Sequence, residues 1–265
     1  MKLATRTVEK VWGRCELPPP FERSFEEPVG EIWFEPPAIL DQLLIKYLFT
    51  SEKLSVQVHP GEEEAGPGQP GKEECWLVLD AEPDARLAIG FRREVSEDEM
   101  RTAALDGSIE DLLVWHPAYA GDFFYLPAGT VHAIGPGLSL VEVQQNTDIT
   151  YRLFDYGRPR ELHLDEGLAV AKGEVYPDKL HCSGVGENSR SLVDGPFFRL
   201  DFCLGHPDPA MAARHEGALA VLPLKGNVTI DSETVAPGEC GVARRVEEIE
   251  VPADTRTLIA SIVSV

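Results

Sequence analysis

The chain reads as an all-β protein, an antiparallel sandwich or barrel arrangement with a few short helices, and three observations carry that reading. Its apolar runs are short and rich in β-branched or aromatic residues. Glycine and proline are frequent, 23 and 21 among 265 residues, and fall between those runs. A single internal segment looks convincingly helical. In chain order the expected strands of the first part are EIWF (31–34), LLIKYLF (43–49), WLVLD (76–80), RLAIGF (86–91), DFFYLP (122–127), LSLVEVQQ (138–145) and ITYRLFDY (149–156). The helical segment is SEDEMRTAALDGSIEDLLVW (96–115), where Ser96 with Glu99 makes a capping box, Asp106-Gly107 breaks the helix, and a second short turn follows.

Past residue 165 the text changes. DEGLAVAKGEVYPDKL reads as a helix or connector, and a second β-rich block runs from Pro196 through ALAVLPLKGNVTID, SETVAPGECGVARR and EEIEVPADTRTLIASIV. The expected division is a first block at 1–165, a connector at 166–195 and a second block at 196–265. The second block has histidines only at 206 and 215, both near its start, so the chemistry is expected in the first.

Composition narrows the partners. With 24 Lys and Arg against 45 Asp and Glu the formal charge is −21, which argues against a nucleic-acid partner because phosphate backbones need a basic footprint. A phosphorylated ligand would need a local positive island built from a few cations or a metal. The five cysteines, Cys15, Cys75, Cys182, Cys203 and Cys240, form no C-x-x-C pair and are expected to be reduced. No signal-peptide core and no membrane-spanning apolar run is visible, so a cytoplasmic location and no membrane partner are expected.

The stretch SVQVHPGEEEAGPGQPGKEECW (55–76) opens as a clean alternation. On a strand, Gln57 and His59 share one face while Val56 and Val58 take the other. Glu74 begins another strand beyond the Gly/Pro/Glu loop, and His132 closes the phrase GDFFYLPAGTVHAIG. There Pro127 and Gly129 shape a tight bend that can turn the His132 ring back into a barrel mouth. Gln57, His59, Glu74 and His132 would supply two imidazole nitrogens and two oxygens. Such a set suits a catalytic Zn²⁺ with room for water or substrate, although an amide ligand is unusual for zinc. His59, Glu74 and His132 alone would also satisfy the two-histidine, one-carboxylate face of an Fe(II) oxygenase.

The spacing from Gly121 through Pro127 and Gly129 to His132 resembles the second motif of the cupin superfamily, while Gln57-Val58-His59 matches the first motif less literally. The likeness implies two cupin-like jelly-roll barrels or sandwiches. QVHP, KEECW, LPAGTVHAIG and VEVQQNTDITYRLFDYGR together resemble the short bacterial form of type I mannose-6-phosphate isomerases, and the likeness runs from VWGR (11–14) through GEIWFE (30–35) to about Lys172. The second block matches only in type, as a jelly roll without metal ligands, and a large helical insertion of longer members is absent.

That resemblance implies a zinc-dependent interconversion of mannose 6-phosphate and fructose 6-phosphate, by proton transfer through an enediol. One Zn²⁺ per chain is implied, with another divalent metal possible, at Gln57, His59, Glu74 and His132. Arg152 corresponds to the family's active-site arginine and Lys72 to its lysine. Glu142, which shares a strand face with Gln144, is a further acid/base candidate. The partner implied is a small sugar phosphate, with the chain a monomer or homodimer; Arg158 and Lys46 are phosphate-gripping candidates without a spacing argument. Two other readings stay open, an Fe(II) cupin oxygenase and a non-catalytic sugar-binding cupin. The bland readings are a capping or surface role for His116 at a helix end, a solvated loop for Glu62-Glu63-Glu64, and a core position for Cys75.

Overall fold

The computed structural model describes residues 1–263. Its first twelve strands are β1 (Thr5–Leu17), β2 (Arg23–Phe34), β3 (Leu43–Phe49), β4 (Val56–Val58), β5 (Glu74–Ala81), β6 (Arg86–Phe91), β7 (Leu113–Pro117), β8 (Phe123–Leu126), β9 (His132–Ile134), β10 (Leu138–Gln145), β11 (Tyr151–Phe154) and β12 (His181–Cys182). The remainder are β13 (Arg190–Asp194), β14 (Phe198–Leu204), β15 (Leu219–Lys225), β16 (Val228–Ile230), β17 (Glu233–Val235), β18 (Gly241–Ala243), β19 (Ile249–Glu250) and β20 (Arg256–Ile262). Among the described residues four α-helices intervene: α1 (Glu97–Asp106), α2 (Ile109–Leu112), α3 (Leu164–Val170) and α4 (Pro209–Ala212).

Among the described residues the strands form four antiparallel sheets. In the first block a seven-stranded sheet, β1-β2-β3-β10-β5-β8-β12, faces a five-stranded one, β11-β4-β9-β6-β7. The second block has a five-stranded sheet, β13-β14-β20-β15-β18, and a three-stranded one, β17-β16-β19. Strand alternation sorts the side chains into layers. On β3, Ile45, Tyr47 and Phe49 point outward to a core shared with Phe198, Leu200 and Phe202 of β14, which joins the two blocks. Leu48 of the same strand points inward, where Trp76, Val78, Ile89, Phe124 and Leu140 fill the first barrel. Val56 and Val58 lie on the outer face of the five-stranded sheet, under Met100 and Ala103 of α1 and Leu168 of α3. Alternation on β4 therefore buries the valines beneath helices and turns Gln57 inward between the sheets.

The α1 boundaries follow from its caps. Ser96 Oγ accepts the Glu99 amide at 3.3 Å, and Gly107 closes the helix at φ 87°, a left-handed position that disfavours side chains. The tail of the helical phrase is a strand, so His116 sits on β7, paired with Leu87, rather than at a helix end. Beta-sheet pairing with β6 outcompetes the weak local preference of LVWHP. The 166–195 stretch holds most of α3, adds β12 to the first block's sheet and adds β13 to the second's. No helix among the described residues is long and apolar enough to cross a membrane.

Candidate metal centre

The two sheets of the first barrel bring their polar residues to one end of its interior. The five-stranded sheet supplies Gln57, Cα-paired with His132 on one side and with Arg152 on the other. The seven-stranded sheet supplies Lys46, Glu142 and Trp76, which are cross-strand partners in that order, together with Glu74 opposite Gln144. Gly129, at φ 83°, makes the bend that delivers His132, and a Cβ there would lie 2.8 Å from the Val170 carbonyl oxygen.

His59, Glu74 and His132 converge. One ligand atom from each lies within 4.8 Å of the others, and all three residues are buried. His59 Nδ1 is 2.8 Å from the Ile149 carbonyl and His132 Nδ1 is 2.8 Å from that of Thr130. Each ring thus donates Nδ1–H to the backbone and leaves the Nε2 lone pair facing inward, the tautomer a metal ligand requires. The two Nε2 atoms approach Glu74 to 3.4 Å each, His59 at Oε2 and His132 at Oε1. Glu74 Oε1 is buried and has no hydrogen-bond partner among the described residues. A lone pair left this way costs about 1–3 kcal/mol unless something electropositive faces it.

Gln57 stands beside His132, its Nε2 3.2 Å from the ring Nε2, while its Oε1 accepts from Ser55 Oγ at 3.1 Å. Rotating the amide by half a turn presents Oε1 to the same centre. Two imidazole nitrogens, a carboxylate and an amide oxygen fit a divalent cation.

Electrostatics favours the ligand forms of these groups. Burial, helped by Lys72 and His132, holds His59 well below the usual imidazole range, and burial also lowers His132. Burial by itself would raise Glu74, but Lys72 and then His132 outweigh it and keep the carboxyl below its ordinary value. Lys72, carried by the Gly/Pro/Glu loop that leads into β5, is only 4% exposed. Its Nζ donates to Glu74 Oε2 at 2.5 Å and lies 3.0 Å from His59 Nε2. Burial opposes its charge, yet Glu74 and Glu142 raise it above the normal lysine value.

Glu142 is held at both oxygens: Lys46 Nζ donates to Oε1 and Trp76 Nε1 to Oε2, each at 3.0 Å. The Trp76 ring also meets the edge of His132, with centroids 5.3 Å apart. Sequence reasoning gave Lys46 no spacing argument and missed Trp76. The register of β3 and β5 against β10 places both beside Glu142. Arg152 lines the same cleft, half-buried, and among the described residues its guanidinium hydrogen-bonds only within its own loop, Nη1 donating to the Glu161 carbonyl at 3.3 Å. Burial and the neighbouring Arg160 lower its guanidinium from the ordinary arginine value. Arg158 is drawn away from the cleft, donating to the Lys53 carbonyl at 2.7 Å and pairing with Asp155 at 2.9 Å. Cys75 is buried in the core between the blocks, and Glu62 pins the loop by accepting from Gly71 N and Gln145 Nε2.

No family model matches the chain. A mannose-6-phosphate isomerase of Bacillus subtilis strain 168 is 42% identical over 146 residues, 52% of this chain and 46% of the relative. A mannose-6-phosphate isomerase of Streptococcus mutans is 39% identical over 168 residues, 59% of this chain and 52% of the relative. The chain thus spans about half the length of the curated relatives it matches. The crystal structure of the mannose 6-phosphate isomerase from Bacillus subtilis superposes with a TM-score of 0.81 at 25% identity, over 98% of this chain and 99% of that one. In both sequence and fold, the chain is similar to the mannose-6-phosphate isomerases.

Proposed function

We propose that the chain is a metal-dependent aldose–ketose isomerase that interconverts mannose 6-phosphate and fructose 6-phosphate through an enediol. Gln57, His59, Glu74 and His132 would hold one divalent ion, with Zn²⁺ the expected one. The observation that carries the reading is the convergence of two tautomerically fixed histidines on a buried carboxylate with an unpaired oxygen. When bound, the ion supplies Lewis-acid polarisation and a template for the sugar oxygens.

The chain's own residues do the rest. Lys46 and Trp76 position the Glu142 carboxylate, which takes the C2 proton and returns it to C1. Lys72 serves the oxygens, giving a proton to O1 as the enediol forms and recovering one from O2 as the ketose carbonyl appears. Arg152 meets the anionic end of the substrate or the developing oxyanion through guanidinium donors left free in the cleft. Lys46 and Lys72 balance Glu142 and Glu74, so a bound dication leaves the cleft net positive and able to attract a phosphate despite the overall charge of −21. The second block, in this reading, is a metal-free support.

The test is a coupled assay for fructose 6-phosphate formed from mannose 6-phosphate, run before chelation, after it, and after zinc return. Activity that vanishes and returns with the metal, is lost in His132→Ala and falls in Arg152→Ala is expected. Oxygen uptake without isomerisation would move the chain to the Fe(II) oxygenases, and sugar binding without turnover would make it a binding protein.

A further inference from the structure

A second cleft lies where the two blocks meet, and it shares no lining residue with the metal-site cleft. Its floor is apolar, with Phe123 and Tyr125 of β8 and Val193 of β13. Lys179, His181 and Arg190 line it from both blocks. The acid that lines it, Asp194, is already engaged by Arg199 at 3.1 Å and Arg214 at 3.4 Å. Lys179 and Arg190 form no ion pair among the described residues, and Arg190 makes only a long contact to the Ser183 carbonyl at 3.5 Å. In a protein carrying 45 acids against 24 Lys and Arg, the hollow gathers two cations outside any ion pair and a histidine whose Nε2 lies 4.0 Å from Asp122.

We propose that this cleft is a second ligand site, separate from the metal centre, that takes a small phosphate ester. Arg190 offers paired donors suited to phosphate oxygens and Lys179 adds a point charge, while the apolar floor accepts the body of the ester. A simple inorganic anion would use the cations but not the floor. The floor also touches the strand that begins at the metal site, because the Tyr125 hydroxyl donates to Glu73, which lies between Lys72 and Glu74.

Cys182 lines the cleft and is half-buried, whereas Cys15 is exposed and the remaining cysteines are buried. In a Cys15→Ser protein, alkylation of Cys182 by N-ethylmaleimide therefore reports on the cleft. With chloride holding ionic strength constant, glucose 6-phosphate is expected to slow alkylation about fivefold when it reaches about four times its Kd. Inorganic phosphate should protect less. Protection should disappear in Lys179→Ala/Arg190→Ala and persist in Arg152→Ala, with circular dichroism melting confirming that both variants fold. An unchanged rate up to millimolar ester, equal slowing in the double variant, or loss of protection in Arg152→Ala would each overturn the proposal. The last readout separates this site from the metal cleft, whatever the fate of the proposed activity.

Discussion

Each block buries a histidine against a carboxylate, and the two pairs differ in what the histidine has left to offer. In the second block, Asp201 is fully buried, its Oδ2 3.1 Å from His215 Nε2, and His215 Nδ1 is 2.7 Å from Ser261 Oγ. Arg214 Nε faces the other Asp201 oxygen at 3.3 Å. Both ring nitrogens are spent inside the protein, and Ser261 is only 1% exposed, so a serine, a histidine and an aspartate make a brace rather than a nucleophilic triad. In the first block, His59 and His132 each spend one nitrogen on a backbone carbonyl and turn the other toward Glu74. Residue type is the same in both places. The nitrogen that faces Glu74 and the cleft, with only the Lys72 amine or the reversible Gln57 amide beside it, separates a candidate ligand set from a structural pair.

The sharpest way to break this contrast is Glu74→Gln. Metal content measured by elemental analysis should fall below stoichiometry, and turnover should drop by roughly 10³-fold or more, as expected when several kcal/mol of charge stabilisation are lost. Full metal content with normal turnover would erase the distinction between the two blocks. Asp201→Asn tests the other side of the comparison. It leaves Arg214 without its buried counter-charge and weakens the acceptor facing His215, and should cost about 3–5 kcal/mol in urea unfolding, with kcat unchanged. Altered turnover in that variant at full folding would give the second block a catalytic part.

Arg152→Ala should lower kcat/KM by about 10- to 100-fold, the range of a charge-assisted hydrogen bond, with metal content intact. Lysine at this position is expected to restore little, because the planar fork is lost. The smallest expected effect is on pH dependence. His59 and His132 are lowered in the fold from an ordinary value of 6.5, so the unfolded chain takes up protons that the folded chain refuses. Stability should therefore decline as pH falls below about 6.5, with lowered Glu74 adding to the loss at more acid pH. Melting temperatures at pH 7.5 and pH 5 check the sign, and a protein more stable at pH 5 would contradict it.

Much of this was legible in the sequence where a local rule governs. The runs 43–49, 86–91 and 138–145 match β3, β6 and β10 at both ends, because turn residues bracket them. The two-residue period placed Gln57 and His59 on the barrel side of the chain. By contrast, β1 escaped notice: it is an edge strand whose charged, largely exposed residues blur any alternation. Lys46, Trp76 and Glu142 could not be joined from spelling, since Lys46 and Glu142 are 96 residues apart and meet only through the β3–β10 register. Lys72 shows the same limit, because its loop composition suggests solvent while the barrel interior decides its burial.

The most direct measurement is anomalous diffraction at the zinc edge from crystals of the protein as purified. One peak per chain is expected, about 2.0–2.2 Å from His59 Nε2, His132 Nε2 and a Glu74 oxygen, with the Gln57 amide oxygen turned toward it. Turnover of mannose 6-phosphate by crystals or solutions in which no ion lies between those side chains would contradict that expectation.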